Sequence, residues 1–397
     1  MLPVPAPPGL TGVNRTLNIV SFLIFASALS VRAIDPVVPQ IAADFAIPET
    51  TAALLAAAFA AYGLVQPVLG PMADAFGKAR TMLVCLAVLA VASFLSAVVT
   101  DFWLLFVLRM VSGAACGGSF PIGMAMVSDF VPLAQRQVMI GRLLTATISG
   151  NLLGAAASGV VSDIIHWPGM LVILGIISVA ALLLGYFGLR DLPPAQRHPL
   201  DVRSVLSRNR AIFAIRAARI CYATVALEAL FLFGIFPYVA VLLAKAGETR
   251  ATIAGAVVAA FAVGGVVYSL SVRQLLRFLG PKWIMTAGGT LAALGLFVVG
   301  AGPNWPVQAL AFAAMGCGFY MLHASIQVYV TEFAPATRSS AVAFHTFSFF
   351  IGGGISPVLY GIGLDRLGAP MTLSIAGVAM ILIGAVSAQL LVKPRPA

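Results

Sequence analysis

Gly70-Pro71-Met72-Ala73-Asp74-Ala75-Phe76-Gly77-Lys78-Ala79-Arg80 reads as a short polar turn between two long apolar runs. An Asp, a Lys and an Arg stand together in it, although only 9% of the 397 residues are charged. Charge gathered at such a point marks a membrane boundary, and the rest of the chain is laid out from it. Apolar residues make up 61% of the chain and the mean hydropathy is +1.03, which leaves too little polar surface to face water. Apolar segments of about 20 residues recur, the length at which a helix crosses the hydrocarbon core with its own backbone hydrogen bonds closed. Barrel strands would instead show about 10 residues of alternating polarity. The reading is an all-α integral membrane protein.

Twelve transmembrane helices are expected. The first six cover about 17–35, 50–70, 81–99, 102–130, 139–161 and 168–189; the second six cover about 211–244, 251–272, 283–300, 306–331, 340–363 and 370–392, with an interruption near Pro237. This divides the chain into a lead (1–16), an N-terminal half (17–189), a linker (190–210), a C-terminal half (211–392) and a tail (393–397). The linker carries Arg190, Arg197, Arg203, Arg208 and Arg210 among three prolines. Of the 23 basic residues, 16 fall in the tails and the connections on the side of the opening turn, whereas the opposite loops hold only Lys245, Arg250 and Arg366. The positive-inside rule therefore places both termini and the opening turn in the cytoplasm. The net charge of +10 is spread over many short turns, a sign of topology and not of nucleic-acid binding.

The two halves repeat each other. Asp129-Phe130-Val131-Pro132 returns as Glu332-Phe333-Ala334-Pro335 at an offset of 203, and Gly159-x-x-x-Asp163 returns as Gly361-x-x-x-Asp365 at 202. Gly77 returns as Gly280, also at 203, in Arg277-Phe278-Leu279-Gly280-Pro281-Lys282. Three separate loops with one offset indicate a parallel duplication.

A six-plus-six chain with a basic linker and this turn after helix 2 resembles the major facilitator superfamily over essentially its whole length. The family signature G-x-x-x-D-[RK]-x-G-[RK]-[RK] is met by Gly70, Asp74, Gly77 and Lys78. It is broken at Ala75 and at Ala79, where Arg80 stands next door. The resemblance implies that the turn latches the cytoplasmic side of the outward-facing state, with Asp129 at the end of helix 4 in its charge relay and Lys78 or Arg80 supplying the pairing cation. Arg109-x-x-x-Gly113 looks like the family's intramembrane arginine motif. The run from Gly150 to Gly159, which contains Asn151 and Gly154, is similar to the antiporter motif G-x-x-x-G-P-x-x-G-G, with Ala155 in place of the proline and Ser158 in place of a glycine. Small residues at that spacing also let helices pack closely in any membrane protein, which is the reading taken for Gly150, Gly154 and Gly159.

Ionisable groups inside a membrane are costly and default to functional candidates. Arg32 and Asp35 lie i, i+3 near the outer end of helix 1, placed for proton coupling or as an interfacial anchor. Glu228 is the deepest acid of helix 7, and Arg109 needs a partner across the bundle or a substrate anion. Tyr320, His323 and Gln327 form a polar stripe on helix 10. With His345 of helix 11, Asn151 and Phe231 they are the candidate cavity residues, and Phe231, Phe233, Phe236 and Tyr238 of helix 7 with Phe344, Phe347, Phe349 and Phe350 of helix 11 are the aromatics able to line an apolar pocket. No His or Cys spacing indicates a metal, and Cys85, Cys116, Cys221 and Cys317 read as small buried hydrophobes.

The expectation is a monomeric secondary transporter of a bacterial-type inner membrane, without cofactor and driven by a proton gradient. It would export a small, largely hydrophobic organic compound by alternating access of its two halves. Proton-coupled uptake or exchange of a small organic anion is the alternative, with a transporter-derived receptor more remote. No catalytic cluster appears, and there is no G-x-x-x-x-G-K-[ST] loop for direct ATP drive.

Overall fold

The structure, a computed structural model, describes residues 10–131, 133–190, 212–332 and 338–391. The expected linker beyond Arg190, the tail 393–397, the first nine residues of the lead and the Phe333-Ala334-Pro335 echo lie outside them. The described residues are helical or turn, with no strand among them.

Helix α1 is Leu10–Leu29. Helix α2 covers 49–76 in short pieces, the last being Gln66–Phe76, and α3 is Lys78–Val98. Helix α4 passes through Phe102–Gly117 and Ser119–Phe130. The run Leu133–Leu189 folds at Ile165 and His166 into α5 (133–164) and α6 (167–189). Helix α7 starts as Arg216–Leu232 and continues past a 3-10 segment, Phe233–Tyr238, to Val239–Lys245. Ala251–Gly300 folds at Gly280 into α8 (251–279) and α9 (281–300). Helix α10 is Trp305–Glu332, and Arg338–Leu391 folds at Gly368 into α11 (338–367) and α12 (369–391).

Length decides how these runs sit. Fifty helical residues span about 75 Å, more than twice the roughly 30 Å hydrocarbon core, so each folded run makes two crossings. Seven apolar runs among the described residues are long enough to cross, three of them folded, and two shorter ones, Arg15–Leu29 and Glu49–Leu64, complete twelve helices.

Two expectations about local structure are corrected. Helix 1 does not continue to Asp35: α1 ends at Leu29, Ser30 to Ile34 are non-helical, and Asp35–Val37 is a 3-10 turn. The stretch Gly70 to Arg80 is not an extended turn either. Helix α2 continues to Phe76 and α3 starts at Lys78, so Gly77 alone makes the reversal, at φ +100°. That backbone conformation is open to glycine at little cost.

The duplication is visible in the backbone. Gly280 makes the equivalent reversal at φ +72°. At the other end, Gly368 (φ +77°, ψ 170°) matches His166 (φ +65°, ψ 166°) at an offset of 202, and Pro370 and Pro168 follow at the same offset. Proline in the first helical turn removes an N–H that would be orphaned anyway. The halves therefore share a turn, but one of them builds it from a histidine.

Glycines set how closely helices approach. Gly154 of α5 lies against the Leu29 backbone, with no room for a Cβ, and Gly150 against Ala28 and Phe25 of the same helix. Gly159 lies against Ala251 of α8, and Gly255 of α8 returns the contact against Ala155. The pseudo-equivalent pair is α2 with α11, where Gly354 meets Ala60 and Gly361 faces Thr50. These two pairs join the halves at the end of the bundle that carries Asp163.

His166 occupies a φ/ψ region almost confined to glycine, at a strain of roughly 1–3 kcal/mol. Its contact with Asp44, 3.4 Å on a half-exposed surface, offsets little of that. His166→Gly is expected to raise the thermal midpoint in detergent by the equivalent of about 1 kcal/mol. Gly368→Ala, at the matching turn, should lower it by a similar amount.

Candidate functional site

The first helix of each half is loosened at matching depth, and a helix of the same half completes its hydrogen bonds. Ser30 and Ala33 leave carbonyls without helical donors; the Ser158 hydroxyl of α5 donates to the Ala33 carbonyl, and Arg109 Nη2 of α4 donates to the Ser30 carbonyl at 3.2 Å. In the second half, Ser356 of α11 donates to the Leu230 carbonyl and Tyr360 Oη to the Phe231 carbonyl at 2.5 Å, just before the 3-10 segment. Such breaks persist in a membrane only where protein re-satisfies the backbone.

Around the first break three charges gather. Arg32 Nη1 lies 3.4 Å from Asp35 Oδ2, with Asp35 buried and Arg32 partly so. The expected pair forms, but across a bend and a 3-10 turn instead of along a helix face. The Arg32 guanidinium also lies over Phe233 and Phe236 of α7, 4.8 and 4.3 Å from their centroids, and so crosses between the halves. Arg109 is buried, stacked 4.4 Å over Phe59 of α2, with its Nε lacking a hydrogen-bond partner. Gly113, one turn on, packs against the Phe59 backbone. The partner that Arg109 needs is thus a carbonyl and an aromatic face.

The same end is closed by helix capping. Asp163 of α5 accepts from the backbone N–H of Ala251 and Thr252, at 2.9 and 2.8 Å, across the interface to the start of α8. Three residues before Ala251, Glu248 accepts from Arg250 N, Nε and Nη2. In this loop, outside the membrane-spanning segments, the hydrogen bonds from Arg250 hold the Glu248 carboxyl down to about 2. Carboxylates at a helix N-terminus match its partial positive charge.

A central cavity of about 220 Å³ lies between the halves. The first half contributes Ser27 and Val31 of α1, Tyr62 of α2, Ser119 and Phe120 of α4, and Thr147 and Asn151 of α5. The second contributes His323 and Gln327 of α10 with His345, Thr346, Phe349 and Phe350 of α11. Tyr62 and Phe350 stack across it with centroids 4.1 Å apart. Of the expected cavity residues, Asn151, His323, Gln327 and His345 line it. Tyr320 turns away onto Gly265 of α8, and the partly buried Phe231 packs into the apolar core. Sequence reasoning missed Ser27, Ser119, Thr147 and Thr346, because isolated hydroxyls in apolar helices carry no signal for the face they occupy.

Behind the cavity wall sits Glu228, 0% exposed, with Oε2 2.8 Å from His323 Nδ1. Its Oε1 and the Nε2 of His345 are buried without hydrogen-bond partners. The two imidazoles lie 4.9 Å apart between centroids, and Phe319 stacks on His323 at 4.7 Å. Three elements, α7, α10 and α11, thus bring one carboxyl and two imidazoles together, with the imidazoles on the cavity wall. No group of three His, Cys, Asp or Glu residues among the described residues is arranged to hold a metal ion.

At the opposite end of the bundle, Lys78 Nζ donates to Asp129 Oδ2 at 2.6 Å, joining the start of α3 to the end of α4. Asp74 belongs to the last turn of α2. Arg80 is exposed two residues beyond Lys78.

Comparison with known proteins gives a consistent result. A family model described as Major Facilitator Superfamily matches residues 20–277 and 221–397. The quinolone resistance protein NorA of Staphylococcus aureus (strain MRSA252) is 24% identical over 390 residues, 94% of this chain and 97% of that protein. Multidrug resistance protein 1 of Bacillus subtilis (strain 168) is 21% identical over 357 residues, covering 89% and 90%. The crystal structure of a D-xylose-proton symporter superposes with a TM-score of 0.77 at 14% identity, covering 96% of this chain and 98% of that one.

The Glu228–His323 contact makes a thermodynamic prediction. Removing one partner of a buried pair leaves the other unsatisfied, so His323→Ala should cost more in the wild type than in a Glu228→Gln background. A double-mutant cycle read by thermal unfolding in detergent should give a coupling of about 1–3 kcal/mol. Additive losses would mean that the two side chains do not interact.

Proposed function

The chain belongs to the major facilitator superfamily, and we propose that it is a proton-coupled exporter of a small, largely hydrophobic organic compound. The observation that carries this reading is the placement of Glu228: fully buried, and joined to the cavity, among the described residues, through His323. A carboxylate without water keeps its charge only against a partner; otherwise it takes up a proton. A proton arriving at the imidazole from the cavity is shared with Glu228 across 2.8 Å. Loading and unloading then follow whichever side of the membrane the cavity meets. Asp35, Arg32 and Arg109 are the supporting charge cluster, holding the loosened part of α1 in place as the halves rock.

The cavity supports an uncharged or weakly polar substrate. Its wall holds aromatic rings, hydroxyls, two carboxamides and two imidazoles, and no Lys, Arg, Asp or Glu. Uptake of an organic anion would be favoured by a permanent cation on that wall; Arg109 is instead tied to Ser30 and Phe59, and the imidazoles of the wall are cationic only while they hold the proton. Export is supported by the similarity to two proteins named for drug resistance. The Lys78–Asp129 pair, with Gly70, Asp74, Gly77 and Arg80 around it, is assigned the latch that favours one side's closure. By the positive-inside rule that side, with both termini, is cytoplasmic in a bacterial-type inner membrane. A single copy holds the whole cavity, which supports a monomeric working unit.

Proteoliposomes with an imposed pH gradient test both assignments. Glu228→Gln should abolish gradient-driven flux of a lipophilic dye while leaving dye binding in detergent within about threefold of wild type. Gradient-driven flux at the wild-type rate in that variant would remove Glu228 as the proton carrier. Asp74→Asn should lower turnover roughly tenfold or more with the protein still inserted and folded; unchanged turnover would reduce the stretch to an ordinary helix reversal.

A further inference from the structure

Between α3 and α6, away from the central cavity, the outer surface carries a groove of about 480 Å³. One wall is Ala79, Leu83, Val84 and Ala87 of α3; the other is Leu182, Tyr186 and Leu189 of α6. Arg80 and Arg190 stand at its mouth, both exposed. Leu182, Tyr186 and Arg190 follow at i, i+4 and i+8, and Arg80, Val84 and Ala87 at i, i+4 and i+7, so each set lies along one helix face. The groove runs about 10–12 Å from the arginines into the bilayer at 1.5 Å per residue, about a third of the hydrocarbon thickness. Neighbouring side chains on both helices, such as Val88, Leu183 and Phe187, are exposed and apolar, as a lipid-facing surface requires.

We propose that this groove is a binding site for an anionic phospholipid, with the phosphate between Arg80 and Arg190 and an acyl chain along the α3–α6 seam. Charge complementarity selects the headgroup. Arg80 leads the contact, with no ion-pair or hydrogen-bond partner for its side chain among the described residues, whereas Arg190 already has a contact of its own and joins as the second cation; no acidic residue among the described residues lines the groove. Guanidinium groups meet phosphate with paired N–H donors. Tyr186, 59% exposed, lies one turn deeper with its ring on the seam, the place of an aromatic at the level of the lipid glycerols. Small residues opposite leucines, Ala79 and Ala87 against Leu182 and Leu189, open the seam wide enough for a chain. A zwitterionic lipid can lie in the same groove, but its headgroup brings a cation toward the two arginines. The site adjoins the turn at Gly77, so an occupied groove would fix the start of α3 beside Lys78.

The test is a lipid titration of delipidated protein in neutral detergent, read by native mass spectrometry, with dioleoyl phosphatidylglycerol and dioleoyl phosphatidylcholine as probes. The first phosphatidylglycerol should bind roughly tenfold or more tightly than the first phosphatidylcholine. Each arginine near anionic lipid contributes roughly fivefold, so Arg80→Gln with Arg190→Gln should weaken phosphatidylglycerol about twentyfold or more and leave phosphatidylcholine nearly unchanged. Ala87→Trp, which fills the apolar part and keeps both charges, should also abolish the preference. This second variant decides the matter if the double variant does not fold. A preference for phosphatidylglycerol as large as that of the wild type in either variant overturns the proposal. So does displacement of phosphatidylglycerol from the wild type by excess inorganic phosphate with the preference intact in Ala87→Trp, which would make the site an anion site without lipid.

Discussion

Inside a bilayer no water is available to a backbone carbonyl, and that shortage organises this molecule. Most of the chain answers it with regular helix. Where helix is interrupted, at Ser30 to Ile34 and at Phe233–Tyr238, polar side chains from neighbouring helices take over the missing donors. Ser158, Arg109, Ser356 and Tyr360 do this work, and Gln66 and Tyr238 do the same for Gly117 and Pro357. Several residues that look functional in isolation are therefore bound to backbone, and the groups left for chemistry are fewer than the buried polar inventory suggests.

The duplication explains why these repairs come in pairs. Ser158 and Tyr360, 202 residues apart, stand on α5 and α11 and serve the loosened segments of α1 and α7. Each repair stays within its own half. The contacts that cross between halves are of another kind: close glycine packing of α5 on α8 and of α2 on α11, the Asp163 cap, and Arg32 over two phenylalanines. A rocking motion can release the second group while the first keeps the carbonyls of Ser30, Ala33, Leu230 and Phe231 satisfied.

The twelve helices, the duplication and the glycine packing were legible in the sequence, because hydropathy, offset and small-residue spacing are local or periodic signals. The Lys78–Asp129 contact followed from the family resemblance. The break in α1 was not legible: Ala26 to Ile34 holds no Pro or Gly to stop a helix, and the unwinding depends on donors more than 70 residues away. The contact between Glu228 and His323 was equally hidden, since each was visible as a buried polar residue but their meeting depends on how α7 and α10 cross. Tyr320 shows the converse error. Spacing put it on the His323 stripe, whereas its ring fills the space that Gly265 leaves on α8.

The α5–α8 seam has a further consequence. Ala155, Gly159, Ala251 and Gly255 are buried there against one another, with backbone in contact and no layer of solvent between. Parting the halves at that end must wet this surface, so the transition takes up water. Solutes too large to enter the crevice, such as sucrose, are excluded from that water and raise its chemical cost. The conformational equilibrium is thereby tied to osmotic pressure: a concentrated medium holds the Asp163 end shut, and dilution lets it open.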